Sequence, residues 1–142
     1  MAVRRKPYLT GVIAIGLAAA PIAAHAKPRA IKAAPKTTVI AGDAAAGAQL
    51  FKTSCSICHG QQAEGTPLAP TLRGVVGSKA GATTFPRYTP ALKASGLVWS
   101  PTKLDVFLSG PPKLVPGTAM AVTIAKAEDR KNLIAHLATL KK

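Results

Sequence analysis

Acidic side chains are scarce: five Asp and Glu stand against 19 Lys and Arg in 142 residues, a formal charge of +14. Those five never gather into the carboxylate cluster that acid–base catalysis needs. Aromatic residues make up only 4 % of the chain. A nucleic-acid-binding surface interleaves aromatics with a dense Arg/Lys stripe, and the chain has no such stripe, so nucleic acid is not an expected partner. There are no internal repeats. No segment alternates cleanly between apolar and polar residues, so strands are not expected. The longest apolar run, Tyr8 to Ala24, is shorter than the ~20 residues that span a bilayer. Sulfur and imidazole are also sparse, at two Cys, two Met and three His. A tetrahedral zinc site would need a second pair of ligands at metal-binding spacing.

The scarce residues are not scattered. Both cysteines lie in Cys55-Ser56-Ile57-Cys58-His59. This spacing reads as an attachment site for one covalently bound c-type haem, haem c. Each thiol adds to one haem vinyl group, one helical turn presents both sulfurs to the same haem edge, and the adjacent His59 is placed to ligate iron. A thioredoxin-type pair would need a preceding strand in a βαβ pattern. A plain disulfide leaves His59 without a role.

Three segments are expected. Residues 1–26 look like a signal peptide: Arg4, Arg5 and Lys6 form a basic start, and Ala24-His25-Ala26 fits a small-x-small cleavage site. The alternative is an uncleaved membrane anchor, with peripheral membrane association. Export places the protein in an oxidising, periplasmic compartment. Residues 27–41 carry Lys27, Arg29, Lys32 and Lys36 with no acid and no apolar period, which reads as a flexible basic tail or linker. Residues 42–142 form one domain, with 12 Lys/Arg against five Asp/Glu, a formal +7. A basic surface of this kind suits acidic faces of redox protein partners.

Within that domain the signals are helical, so the fold class is all-α. Asp43 caps a helix expected to run to about Cys58. Gly47, Leu50, Phe51 and Ser54 share one face, and the small Gly47 leaves room for another helix. Residues 60–82 have no helical period, as expected of a loop wrapped around a cofactor. Thr89-Pro90 and Ser100-Pro101 each start a helix. Gly96 ends the first, and Gly110-Pro111-Pro112 ends the second. The last helix runs from about Ala127 to Leu140, with Glu128 and Asp129 in its first turn and Leu133, His136, Leu137 and Leu140 on its apolar face. At ~101 residues, such a domain is marginal on its own side chains, and a buried haem adds apolar surface.

Iron held by His59 needs a ligand on the opposite side. Beyond the signal segment the chain offers Met120 and His136. His136 sits on a helix face that reads as packing, whereas Met120 follows a Pro116-Gly117 turn on an irregular segment. A thioether favours ferrous iron and raises the potential, and with both sites filled the haem passes single electrons.

These features resemble those of the class I cytochromes c over residues 42–140. The resemblance is carried by Gly47 and Phe51, by Cys55, Cys58 and His59, by Pro70, Leu72, Gly74 and Gly77, and by Pro116-Gly117-Thr118 with Met120. It implies a cytochrome c fold wrapped around one haem and a monomeric, non-enzymatic electron carrier. It also implies that the Pro70 carbonyl accepts a hydrogen bond from His59, that Tyr88 and Trp99 bond a haem propionate, and that Thr118 belongs to the methionine-ligand loop. Three positions depart from the family. Phe107 stands where many members bond the methionine sulfur through a tyrosine, His136 replaces an aromatic residue, and Ser78 replaces an arginine near a propionate. Two other functions remain open at this stage: a fixed subunit of a larger oxidoreductase complex, and an enzyme or gas sensor in which a small ligand displaces Met120.

Overall fold

The computed structural model describes residues 42–142, so the expected signal and tail segments lie outside the described residues. Six helices follow one another: α1 Ala44–Ser54, α2 Ser56–His59, α3 Pro90–Ala94, α4 Pro101–Ser109, α5 Pro111–Leu114 and α6 Ala127–Thr139. Among the described residues there is no named strand, only an isolated antiparallel bridge between Lys79 and Val98. The domain is therefore all-α, as its patterning indicates.

The frame is the crossing of α1 and α6. The Asp43 carboxylate accepts from the Ala45 and Ala46 amides at 2.8 and 3.1 Å, capping α1. The Asp43 amide donates to Asn132 Oδ1 at 2.7 Å, which ties that cap to α6. A Cβ at Gly47 would run into the Asn132 carbonyl, so only glycine permits this approach. Phe51 and Leu133 fill the contact at 2 % and 1 % exposure. The His136 ring lies 5.4 Å from Phe51, tilted by 56°. His136 is thus a packing residue, as its helix face indicates.

Two boundaries differ from the periodicity. The first helix breaks at Cys55 and restarts as the single turn α2, with the Cys58 and His59 amides both bonded to the Cys55 carbonyl. Gly110-Pro111-Pro112 ends α4 but also begins α5, because proline suits the first turn of a helix as well as the stop of another. The Thr89 and Ser100 caps stand as expected, with their side chains accepting from Leu92 and Lys103.

The loop over 60–82 has no helix and is held by specific bonds instead. Leu72 N–H donates to the Ala63 carbonyl and Gly74 N–H to Leu140. Gly77 N–H donates to the Trp99 carbonyl, and Trp99 N–H donates to the Ser78 carbonyl, both at 2.9 Å. At the other end of the molecule, Arg130 clamps α6 to α4. Its Nε donates to Asp105 at 2.8 Å, and Nη1 donates to the Ile124 and Ala125 carbonyls at 3.0 and 2.7 Å. This clamp has no signature in the sequence.

Candidate haem site

A cavity of about 430 Å³ opens between α2, the 68–89 loop, α4, the 118–124 segment and α6. Its size lies in the range of small-molecule sites. Cys55, Cys58, His59, Pro70, Tyr88, Trp99, Thr118 and Met120, the residues singled out from sequence, all line it. Leu72, Leu104, Phe107, Leu108, Ile124 and Leu133 make much of the remaining wall apolar. Leu68 and Val122 also line it while 62 % and 39 % exposed, so the cavity reaches the surface at that edge.

The ligand side is built by α2 and the loop behind it. The single turn Ser56–His59 brings Cys58 and His59 to the wall beside Cys55. His59 Nδ1 lies 2.7 Å from the Pro70 carbonyl oxygen. A carbonyl only accepts, so Nδ1 carries the proton and donates, which leaves Nε2 with its lone pair free for a metal. Burial lowers the His59 pKa, and the bond to Pro70 opposes this in part. Burial, aided by the nearby Cys58, pushes the Cys55 thiol up to about 11, so this sulfur is held as S–H. Thr66 Oγ1 donates to the Cys58 carbonyl, and Gly65 N–H donates to the His59 carbonyl at 2.8 Å, fixing the turn.

The 118–124 segment brings the Met120 thioether to the cavity wall. Thr118 N–H bonds the Val115 carbonyl at 3.0 Å, and Met120 N–H bonds Thr118 Oγ1 at 3.3 Å. Thr118 therefore orients the methionine backbone, a role that sequence reasoning did not supply. A signal was present in the Thr-x-Met spacing, which permits a hydroxyl to cap an amide two residues on. Ile124 N–H to the Leu108 carbonyl, at 2.8 Å, anchors the segment to α4. His136, the other candidate ligand, lies on the far side of α6 against Phe51 and does not line the cavity.

Trp99 is 7 % exposed and packs 4.8 Å from Phe107. Its ring lines the cavity, and among the described residues no buried side-chain nitrogen or oxygen lacks a partner. The Tyr88 hydroxyl faces the same cavity, paired with Thr83 Oγ1 at 2.8 Å. An apolar wall, two neighbouring thiols, an imidazole with its Nδ1 already bound, a thioether and an indole on the wall fit a haem. Among the described residues, no three His, Cys, Asp or Glu side chains gather as a metal-binding cluster, so a zinc site has no support there.

Comparison with known proteins agrees with this geometry. A family model described as cytochrome c matches residues 44–141. Cytochrome c of Tetrahymena pyriformis is 46 % identical over 104 residues, covering 72 % of this chain and 94 % of that one. Cytochrome c2 of Rhodomicrobium vannielii is 44 % identical over 101 residues, covering 70 % and 80 %. The solved structure of cytochrome cH from Methylobacterium extorquens superposes with a TM-score of 0.61 at 42 % identity, covering 69 % of this chain and 99 % of that one. A covalent haem motif on an all-α frame, matched along the whole described domain, places the chain in the cytochrome c family as a class I c-type cytochrome, a haem c electron carrier rather than an enzyme.

Proposed function

We propose that the protein is a monomeric, periplasmic electron shuttle whose iron is held between His59 and Met120. The observation that carries this is the convergence on one apolar cavity of residues spread from Cys55 to Met120, with the His59–Pro70 bond already made. When bound, the haem supplies one reversible electron at its iron. The chain supplies everything else. Cys55 and Cys58 anchor the group through their sulfurs. The Pro70 carbonyl fixes the His59 tautomer and strengthens Nε2 as a donor. Thr118 holds the Met120 backbone. Trp99 and Tyr88 offer N–H and O–H donors to the haem carboxylates. The apolar wall excludes water.

Docking follows from the surface. Lys52, Lys79, Lys93, Lys113 and Lys126 are all exposed and steer acidic partners. At the open edge of the cavity, Leu68 and Val122 present apolar surface that a partner can desolvate. The basic composition of residues 1–41 together with the Ala24-His25-Ala26 site supports export ahead of haem attachment.

Absorption spectra of the haem-loaded protein test the ligand assignment. A low-spin spectrum with a methionine-to-ferric-iron band, unmoved by carbon monoxide, is expected. Met120→Ala abolishes the band and admits carbon monoxide. Ready binding of carbon monoxide by the unaltered protein would overturn the carrier assignment in favour of a sensor or enzyme.

A further inference from the structure

The cavity wall carries charge of one sign only. Arg73, Lys79, Arg87 and Lys142 line it, and no Asp or Glu does. One-sided charge on an otherwise apolar cavity marks where an anionic part of the guest is held.

The two arginines are already engaged. Arg73 donates from Nε and Nη2 to the Gln62 carbonyl and side-chain oxygen at 3.1 and 3.2 Å. Arg87 Nη1 donates to the Pro67 carbonyl at 3.2 Å. Ser78, between the two lysines in the wall, spends its hydroxyl on the Val75 carbonyl at 2.8 Å. Lys79 and Lys142 have no side-chain hydrogen bond or ion pair among the described residues, where the ion pair is Arg130–Asp105.

Lys142 is exposed and follows the docked end of α6. Gly74 N–H bonds the Leu140 carbonyl at 2.7 Å, which docks the end of α6 onto the loop. The Lys142 stem lies across Gly74, where any Cβ would collide with it. Gly74, Ser78, Leu137 and Lys142 line both this cavity and a neighbouring pocket of about 340 Å³. Lys141 lines the second pocket and not the cavity.

We propose that Lys142, aided by Lys79, binds the propionate carboxylates of the haem and supplies their counter-charge. The proposal rests on haem c occupying this cavity. An ammonium beside a carboxylate holds it ionised and, near the iron, favours the ferrous state. Removing it lowers the reduction potential and raises the propionate pKa, so the potential becomes pH-dependent nearer neutrality. The other titratable and charged side chains lining the cavity, Arg73, Arg87, Tyr88 and His59, are unchanged by the substitutions below, and Cys55 and Cys58 as haem thioethers carry no titrating proton.

Spectroelectrochemical titration of the haem-loaded full chain across acidic to mildly alkaline pH tests this. Lys142→Ala should lower the potential and introduce the new pH-dependent segment, and Lys79→Ala should do so to a smaller extent. Lys141→Ala, which removes the same charge one residue away, should change neither. Lys142→Arg should restore both. If Lys142→Ala matches Lys141→Ala, or only Lys79→Ala shifts the potential, the assignment to Lys142 is wrong. The methionine-to-iron band, recorded on every variant, separates that outcome from a failure of His59/Met120 ligation.

Discussion

Phe107 lacks the hydroxyl that could bond the proposed Met120 ligand. Its ring is 6 % exposed and lines the same cavity as Met120, and it carries no hydrogen-bond donor. Phe107→Tyr offers an O–H donor on that wall. Exchange of Met120 for an added ligand such as imidazole should slow, and the reduction potential should move. If both stay unchanged, the hydroxyl does not reach the sulfur. His136 acts through its environment in another way. Burial against Phe51 lowers its pKa from the ordinary 6.5 by disfavouring the charged ring. The unfolded chain then binds the proton more readily than the folded one. This cost is absent well above 6.5, appears as pH falls through that value, and is complete below the lower folded pKa. Denaturant midpoints should therefore drop on mild acidification, and His136→Phe should flatten that part of the profile. An equal slope in the variant would assign the effect elsewhere.

Helices matter here for how closely they approach. Gly47 has the lower intrinsic helix propensity, and Ala would gain about 1 kcal/mol in an isolated helix. In the folded protein its Cβ would strike the Asn132 backbone of α6, and neither helix backbone yields easily. Gly47→Ala should destabilise the domain by about 2 kcal/mol, the usual scale of overpacking. Chemical denaturation of the haem-loaded protein measures this, and a stabilised variant would mean the crossing relaxes. The same interface explains the break at Cys55. A continuous helix would carry Cys58 and His59 onward along the α1 axis, whereas the restart as α2 turns both onto the cavity wall beside Cys55. Periodicity counts residues along one axis and does not register such a change of direction.

At the scale of the whole molecule, the proposed docking draws on both charge and apolar surface. The described domain carries a formal +7, with Lys52, Lys93, Lys113 and Lys126 exposed around it. Long-range attraction to an acidic partner raises the encounter rate and is screened by salt. Stopped-flow association rates with an acidic redox protein should fall as ionic strength rises. Dissociation should change less, because short-range contacts at Leu68 and Val122 are not screened. Association independent of salt would remove steering from the account.

Much of the site was legible without coordinates because its chemistry is local in the chain. Cys55, Cys58 and His59 share one turn, the Thr89 and Ser100 caps precede prolines, and Met120 follows a Pro-Gly turn, so spacing alone identified the haem motif, the helix starts and the candidate ligand. Other features arise between residues far apart in sequence and leave no periodic trace. The Arg130 clamp on Asp105 spans 25 positions, and the Asp43–Asn132 bond spans 89. The side of α6 that faces the cavity belongs with them: it sets His136 against Phe51 and away from the cavity. Local covalent spacing determined what the chain binds. Only the packing of α1, α4 and α6 decided which side chains meet inside the cavity, because long-range contacts are selected by fit and burial rather than by order along the chain.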